Sequence, residues 1–262
     1  MIGVIGAGKL GSAIAARLAA SGEKVVAFDR NKGKTAGLSA AGVEAAASAA
    51  DAVRKSGVVL LCVKPRDFDS LLSELDGKCA GKLVISVAAG IPIAHIEAKL
   101  PGARVVRCLP NMALAIRMSD TGMSFSKKAS QGDRKDAGRI FGLLGNVRCI
   151  DEGKMAAWTG LSGSFPAYVA LWIDAAAKVA ESEGFGREEA VKLAASVTMA
   201  SAKLLLENGE DPSGLVKRVA SPGGTTEAGL KVAAENGLQE SFSEVLAAAI
   251  KRAKEMEKSE KE

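Results

Sequence analysis

The sequence predicts an α/β protein: a Rossmann-type doubly wound parallel sheet, followed by an all-α dimerisation domain. A glycine-rich turn between a strand and a helix opens the chain, within residues 1–20. Short apolar strands then alternate with helices as far as residue 150, whereas long alanine-rich helices follow it. We therefore divide the chain into a dinucleotide-binding domain, residues 1–150, and a helical dimerisation and substrate domain, residues 151–262.

The composition excludes several classes of protein. Hydrophobic residues make up 48% of the chain and charged residues 25%, as in ordinary globular proteins. Aromatic residues make up only 4%, so few side chains could stack on bases, and we expect no nucleic-acid partner. No apolar run approaches the ~18 residues of a membrane helix, and no signal-peptide pattern opens the chain. The cysteines are too widely spaced for a metal site or a disulfide framework. We expect a cytoplasmic protein with no membrane partner and no metal.

The first βαβ unit contains a dinucleotide-binding motif. An apolar strand, residues 1–5, runs directly into the motif, which consists of Gly6, Ala7, Gly8, Lys9, Leu10 and Gly11. Gly6 allows a tight turn, Gly8 lets the backbone approach a pyrophosphate, and Gly11 lets the helix pack closely on the strand. The helix N-terminus provides amides and a positive dipole end for phosphates.

The end of the second strand, residues 25–28, leaves the choice of cofactor open. Asp29 favours a ribose with a free 2′-hydroxyl, because a carboxylate repels a 2′-phosphate. Arg30, Asn31, Lys32 and Lys34 offer charge and hydrogen bonds to that phosphate instead. We expect NADPH as the cofactor, with NADH as the alternative.

Further strand and helix patterns complete the predicted sheet. Strands are predicted at 58–63, 83–87, 103–108 and 146–150, and helices at 43–55 and 131–143. Ligands of a doubly wound sheet bind at the carboxyl ends of its strands. Val63, Lys64 and Pro65 lie at one such end and Ala88 at the next. We expect these four residues to line the nicotinamide side of the cofactor.

The second half of the chain is helical. Its predicted helices are 166–183, 187–207, 212–219, 225–236 and 241–257. From Tyr168 to Ala180 the first of them is apolar on nearly every side, interrupted only by Asp174 and Lys178. Such a helix must be buried all round, and about 110 residues cannot easily surround several of them. We expect a homodimer through these helices, and a higher oligomer stays open.

A loop between two of these helices carries an unusual set of small residues: Ser221, Pro222, Gly223, Gly224, Thr225 and Thr226. Ser before Pro is typical of a helix start, with Ser as the N-cap. That role leaves the two glycines and two threonines unexplained. They provide bare backbone amides flanked by hydroxyls, which can hold a carboxylate. A second stretch of small residues, 159–164, fits close helix packing or a site equally well.

These stretches resemble the motifs of the pyrroline-5-carboxylate reductase family. The resemblance covers essentially the whole chain, through residues 63–65, 86–90, 107–111, 159–168 and 219–230. It implies reduction of L-1-pyrroline-5-carboxylate to L-proline by NAD(P)H, the last step of proline biosynthesis. It also implies cofactor contacts from the glycine motif, Val63, Lys64 and Ala88. Glu152, Thr225 and Thr226 are implied near the substrate, where Ser221, Gly223 and Gly224 complete the loop.

Three positions depart from the family's pattern. Phe165 stands where Gly is usual, and residues 112–113, Met-Ala, replace Thr-Pro. Ala49 or a neighbour replaces an Asn that contacts the cofactor. These departures concern the shape of the substrate pocket and the adenine side of the cofactor, and they leave the reaction class unchanged.

The residues available suit the reduction of an imine. A protonated imine already carries its positive charge, so hydride can attack carbon without a strong enzymic acid. The protein supplies orientation, a dry pocket and a hydrogen bond to nitrogen, for which Thr226 is the candidate catalytic residue.

Three alternatives remain. A wider-pocket imine reductase would be consistent with Phe165. A β-hydroxyacid oxidoreductase would need a lysine that residues 160–165 lack. A non-catalytic dinucleotide-sensing protein would not need the loop at 221–226.

Overall fold

The computed structural model describes residues 1–259, and one mixed sheet organises their first part. Its strands are β1 (Ile2–Ile5), β2 (Val25–Phe28), β3 (Glu44–Ala45), β4 (Val58–Leu61), β5 (Leu83–Ser86), β6 (Arg104–Leu109), β7 (Ser119–Phe125) and β8 (Gly145–Cys149). They lie in the order β3-β2-β1-β4-β5-β6-β7-β8. Every neighbouring pair is parallel except β6 and β7. The predicted Rossmann-type sheet is confirmed, with one antiparallel pair added.

Helices cover both faces of this sheet. They are α1 (Lys9–Ala20), α2 (Lys32–Ala36), α3 (Ala49–Lys55), α4 (Phe68–Glu74), α5 (Ile93–Lys99), α6 (Gln131–Gly142) and the short α7 (Met155–Trp158). One apolar core includes Ile14 of α1 and Phe141 of α6, and the other includes Phe68 of α4 and Ile96 of α5. Strands β1, β4 and β5 are apolar apart from Ser86 at the end of β5, because both their faces are buried.

The structure differs from the prediction at the helix 43–55 and adds strands and short helices that were not predicted. The predicted helix 43–55 begins only at Ala49, because the Ser48 hydroxyl accepts a hydrogen bond from the Asp51 N–H at 3.0 Å and caps α3 there. Residues 44–45 before it form β3 beside β2. Strand β7 has no counterpart in the prediction. Its buried positions include Ser119 and Thr121, so it lacks an apolar pattern.

The remaining helices are α8 (Phe165–Ser182), α9 (Arg187–Asn208), α10 (Pro212–Val219), α11 (Thr225–Glu235) and α12 (Leu238–Ser259). All five predicted helices are present, with no end shifted by more than three residues. Contacts group the chain into two compact units: Met1–Gly163 together with the residues from Ala249 onward, and Ser164–Ala248. The division into domains at residue 150 therefore stays a proposal. No helix within residues 1–259 is long and apolar enough to cross a membrane.

The unit Ser164–Ala248 leaves many large apolar side chains exposed. Among its residues only Ala177 and Ala190 are buried hydrophobics. Leu171 is 68% exposed, and α8 and α9 also expose the following side chains: Trp172, Val179, Leu193, Val197, Met199, Leu204 and Leu206. The predicted apolar surface of α8 is therefore present, and this chain alone does not cover it.

Candidate active site

The glycine motif forms a tight turn between β1 and α1. Gly6 has φ +100°, a conformation that side chains other than glycine rarely adopt. A Cβ on Gly11 would lie 1.9 Å from the Gly6 carbonyl oxygen, so α1 passes directly over the turn. A Cβ on Gly8 would meet no atom within 4 Å. The space over Gly8 is thus open to a ligand, whereas the protein itself fills the space at Gly6 and Gly11.

Asp29, at the end of β2, holds this turn in place. Its Oδ2 accepts a hydrogen bond from the Ala7 N–H at 2.8 Å, and its Oδ1 accepts one from the Asn31 N–H at 2.9 Å. Lys34 Nζ lies 3.3 Å from Oδ1. Burial alone would raise the pKa of Asp29, but these amides and the Lys34 ammonium outweigh it and lower that pKa below its ordinary value. The Asp29 carboxylate therefore stays ionised, Lys34 compensates its charge, and its hydrogen bonds hold the glycine turn in position.

A cleft of about 370 Å³ lies beside the turn, at the carboxyl ends of β1, β2 and β4. Six predicted cofactor-binding residues line it: Gly6, Gly8, Asp29, Arg30, Val63 and Lys64. Other lining residues escaped the sequence analysis: Phe28, Arg66, Asp67, Leu71 and Glu74. The sequence around these residues is that of ordinary strands, turns and helices and carries no binding motif. Only the fold brings their side chains to the cleft. The open cradle at Gly8, next to the N-terminus of α1, fits the pyrophosphate of a dinucleotide.

The other six predicted cofactor-binding residues are not part of this lining: Ala7, Lys9, Leu10, Gly11, Pro65 and Ala88. Lys9, Leu10 and Gly11 form the first turn of α1. Pro65 begins a single 3₁₀ turn, Pro65–Asp67. Ala88 follows β5 and is buried, with its N–H bonded to the Ser86 hydroxyl at 3.2 Å.

The loop that precedes α11 is a turn and not the start of a helix. Gly224 N–H donates to the Ser221 carbonyl at 3.0 Å, and α11 begins at Thr225 with Gly224 as its N-cap. The interpretation of Ser221 and Pro222 as a helix start is therefore wrong. A Cβ on Gly224 would lie 2.5 Å from the Ser221 Oγ and 3.0 Å from the Ser221 carbonyl oxygen, so a larger residue would crowd this turn.

One backbone amide of this loop is already bonded within the chain. The Gly223 N–H donates to Glu227 Oε2 at 2.8 Å, and Gly223 has φ +68°. Sequence reasoning missed Glu227, although an acid in the first turn of a helix is a typical capping residue. The amides and hydroxyls of Thr225 and Thr226 lie at the N-terminus of α11, where the helix dipole favours an anion.

Glu152 has partners within the unit that contains the sheet. Its Oε1 accepts a hydrogen bond from the Ile93 N–H at 2.7 Å and lies 3.4 Å from Arg107 Nη1. Arg107 is only 1% exposed and also pairs with Glu257 at 2.7 Å. The sequence indicated none of these contacts, because the three charged residues are far apart along the chain. Substrate binding by Glu152 stays a prediction.

The second small-residue stretch, Thr159–Ser164, forms a π-helical turn. A Cβ on Gly160 would lie 2.6 Å from Ile250 Cγ1, which supports the packing interpretation at that position. The Ser162 hydroxyl donates to the Asp120 carbonyl at 2.8 Å and accepts a hydrogen bond from Asn111 Nδ2 at 3.1 Å. Asn111 directly follows the end of β6, so these bonds fix the π-helical turn on the sheet.

The three departures from the family pattern have distinct environments. The Phe165 ring packs edge-to-face on Phe242 at 5.8 Å between centroids, which gives this residue a packing role in its own unit. Ala49 is fully buried in the core at the start of α3, and Met112 is exposed.

Thiol and metal chemistry find no support in the site. Cys62 lies beside the cleft, and burial raises the pKa of its thiol to about 12, so it is not a thiolate at neutral pH. His95 lies on α5 with its Nε2 2.5 Å from Asp69 Oδ1. No group of three or more metal-ligating side chains occurs within residues 1–259.

Two family profiles match the chain. One, described as "Pyrroline-5-carboxylate reductase dimerisation", matches residues 152–256. The other, described as "NADP oxidoreductase coenzyme F420-dependent", matches residues 1–90. The first contains the loop before α11, and the second contains the glycine turn.

Relatives match over nearly the whole chain. The pyrroline-5-carboxylate reductase of Methanosarcina acetivorans is 39% identical over 98% of both sequences. That of Escherichia coli is 32% identical over 98% of both. The solved structure of the Streptococcus pyogenes enzyme has a TM-score of 0.91 and 28% identity, covering 97% of this chain and 98% of that one. The Plasmodium falciparum enzyme with NADP bound has the same TM-score at 24% identity, covering 98% and 97%, and shows the fold alone.

Proposed function

The chain belongs to the pyrroline-5-carboxylate reductase family, and on that premise we propose that it reduces L-1-pyrroline-5-carboxylate to L-proline with NAD(P)H. The observation that carries this proposal is the full-length match to reductases of that name, which includes both the glycine turn and the loop at 221–226. The step is the last one of proline biosynthesis. The unpaired cysteines suit the reducing cytoplasm, where we place the reaction.

The cofactor is held by the first βαβ unit. When bound, the reduced nicotinamide supplies the hydride. Gly8 leaves room for the pyrophosphate, and the N-terminus of α1 provides amides toward it. The Asp29 carboxylate accepts a hydrogen bond from the Ala7 N–H and forms an ion pair with Lys34. Both interactions weaken the repulsion between Asp29 and a 2′-phosphate. Arg30 and Lys34 line the same cleft and offer it positive charge. We therefore propose NADPH as the preferred cofactor, with NADH as the alternative.

The substrate is held by the loop before α11. Ser221 and Gly224 shape its turn, and Glu227 occupies the amide of Gly223. The substrate carboxylate is then left to the amides of the first helical turn, where the dipole also favours it. The Thr226 hydroxyl oxygen accepts a hydrogen bond from the protonated ring nitrogen and so orients the imine for hydride. No strong acid is required, since the imine is already protonated.

A homodimer completes the helical unit. Its exposed leucine, valine, methionine and tryptophan side chains on α8 and α9 leave it without a core of its own. A profile described as a dimerisation domain matches this part of the chain. A second copy that packs against these helices would bury the apolar surface. Assembly of dimers into higher oligomers remains open as a further step.

A kinetic assay tests the proposed function. The purified chain should oxidise NADPH, followed by its absorbance, only after L-1-pyrroline-5-carboxylate is added, and should release proline. Thr226→Val keeps the branched shape and removes the hydroxyl. We expect it to lower kcat by ~30- to 150-fold, equal to ~2–3 kcal/mol of transition-state stabilisation.

Thr225→Val is the matched control at the adjacent position. It should leave kcat within about threefold of the wild-type value and act mainly on the KM for the imine, because Thr225 is predicted near the substrate but has no assigned role in the transfer of hydride. A folded Thr226→Val chain with unaltered kinetics would remove this residue from the catalytic step. Failure of the wild-type chain to reduce the imine would refute the proposed function itself.

A further inference from the structure

The last turns of α12 pack one face onto the unit that contains the sheet. Ile250, Ala253, Met256 and Glu257 recur at helical spacing and therefore share that face. Ile250 lies over Gly160 so closely that a Cβ there would be 2.6 Å away. Met256 Cβ would lie 2.9 Å from a Cβ on Gly90, and Ala253 is buried. Glycines at both contacts let the helix approach the backbone directly.

The same face brings a counter-charge to a buried arginine. Arg107, in β6, donates from Nη2 to Glu257 Oε1 at 2.7 Å, whereas its Nη1 lies 3.4 Å from Glu152. Its Nε has no partner among the described residues. A buried guanidinium needs compensating charge, and Glu257 provides the shorter of the two ion pairs. Losing that carboxylate leaves Arg107 with the longer pair alone.

These contacts surround the turn that follows β5. Gly90 has φ +83° and lies under Met256, two residues after Ala88. A few residues later, the Ile93 N–H is bonded to Glu152, the second partner of Arg107. The segment from Ala88 to Ile93 is thus contacted by Met256 of α12 and by Glu152, which also pairs with Arg107. Ala88 is one of the four residues predicted to line the nicotinamide side of the cofactor.

We propose that Glu257 is a positioning residue for the nicotinamide half of the cofactor. Glu257 acts through Arg107, and Met256 packs on Gly90. Together they fix the position of the turn after Ala88, which we expect to contact the nicotinamide. The inference rests on the proposed cofactor site and adds to it a residue near the far end of the chain. Glu257 does not touch the cofactor, and the adenine half bound near Asp29 is independent of it.

Two ligands distinguish the contributions of the two halves of the cofactor to binding. NADPH contains both, whereas 2′-phospho-ADP-ribose lacks only the nicotinamide, and calorimetry gives the Kd of each. Glu257→Gln should raise the Kd for NADPH by about tenfold or more and change that for 2′-phospho-ADP-ribose by less than about twofold. Glu255→Gln is the matched control two residues away, because among the described residues its carboxylate pairs with Arg252 at the surface. It should change neither Kd.

A second variant guards against loss of folding. Met256→Ala removes the side chain over Gly90 and leaves both ion pairs of Arg107 in place, and it should show the same selective loss with a smaller amplitude. Equal weakening of both ligands, or no weakening, in the folded variants would overturn the inference. If the wild-type chain binds NADPH but does not reduce the imine, the proposed function fails, and these dissociation constants still decide the role of Glu257.

Discussion

The two glycines Gly8 and Gly11 should fail in opposite ways when replaced by alanine. At Gly11 the new Cβ would lie 1.9 Å from the Gly6 carbonyl oxygen and 3.0 Å from Cys62 Cβ. Ordinary carbon contacts begin near 3.4 Å, so the helix or the turn must move by about 1.5 Å. At Gly8 the new Cβ meets no atom within 4 Å. The free protein therefore needs a glycine at position 11, whereas only ligand binding needs a glycine at position 8.

The magnitudes follow from these distances. Overpacking against backbone costs up to about 3 kcal/mol, and alanine returns about 1 kcal/mol of helix propensity, so Gly11→Ala should destabilise the free chain by about 2 kcal/mol. Gly8→Ala should change the free energy of unfolding by less than about 0.5 kcal/mol, since N-cap and chain-entropy effects nearly cancel. It should nevertheless raise the Kd for NADPH by at least about tenfold, because the methyl group occupies the approach of the pyrophosphate.

Urea unfolding of the free chain and calorimetry with NADPH measure the two effects. All variants are compared at one protein concentration, because dimerisation makes apparent stability depend on it. A Gly8→Ala chain that is destabilised as much as Gly11→Ala would refute the distinction between the two spaces. So would a Gly8→Ala chain that binds NADPH as the wild-type chain does.

Three further predictions concern the cofactor, the interface and pH. Lys34→Ala should raise the KM for NADPH about fivefold or more and leave that for NADH nearly unchanged; equal changes in steady-state kinetics would contradict its role at the 2′-phosphate. Leu171→Asp should make a folded monomer in sedimentation, since it places a charge on the apolar face of α8; an unaltered dimer would exclude this face. Asp133 completes the capping box of α6 with Ser130 and pairs with Arg104, and although burial alone would raise its pKa, these bonds lower it. The contribution of Asp133 is therefore complete above the unfolded pKa of about 3.9 and is lost as pH falls through the lower folded value. Asp133→Asn should cost about 1 kcal/mol in urea unfolding at neutral pH and progressively less as pH falls below the unfolded pKa, and a pH-independent difference would contradict this sign.

The sequence by itself determined the architecture and the place of the cofactor turn. A tight turn, a close helix and an open phosphate approach each require glycine, so Gly6, Gly8 and Gly11 could be interpreted without coordinates. Strands buried on both faces are apolar along their length, which made β4 and β5 visible. The apolar surface of α8 was likewise visible in its composition. These signals are local, because each depends on neighbours within one or two turns of the chain.

The tertiary structure alone decided what depends on distant partners. Strand β7 is polar, and its buried Ser119 and Thr121 are acceptable only because hydrogen bonds from other elements and from each other satisfy them. The Asp29 carboxylate accepts a hydrogen bond from the Ala7 N–H, 22 residues earlier in the chain. A residue that the sequence predicts to repel a 2′-phosphate therefore stabilises the glycine turn. Arg107 finds one carboxylate 45 residues away and another 150 residues away. No periodicity in a sequence encodes such pairs, because only chain folding brings their atoms within hydrogen-bond distance.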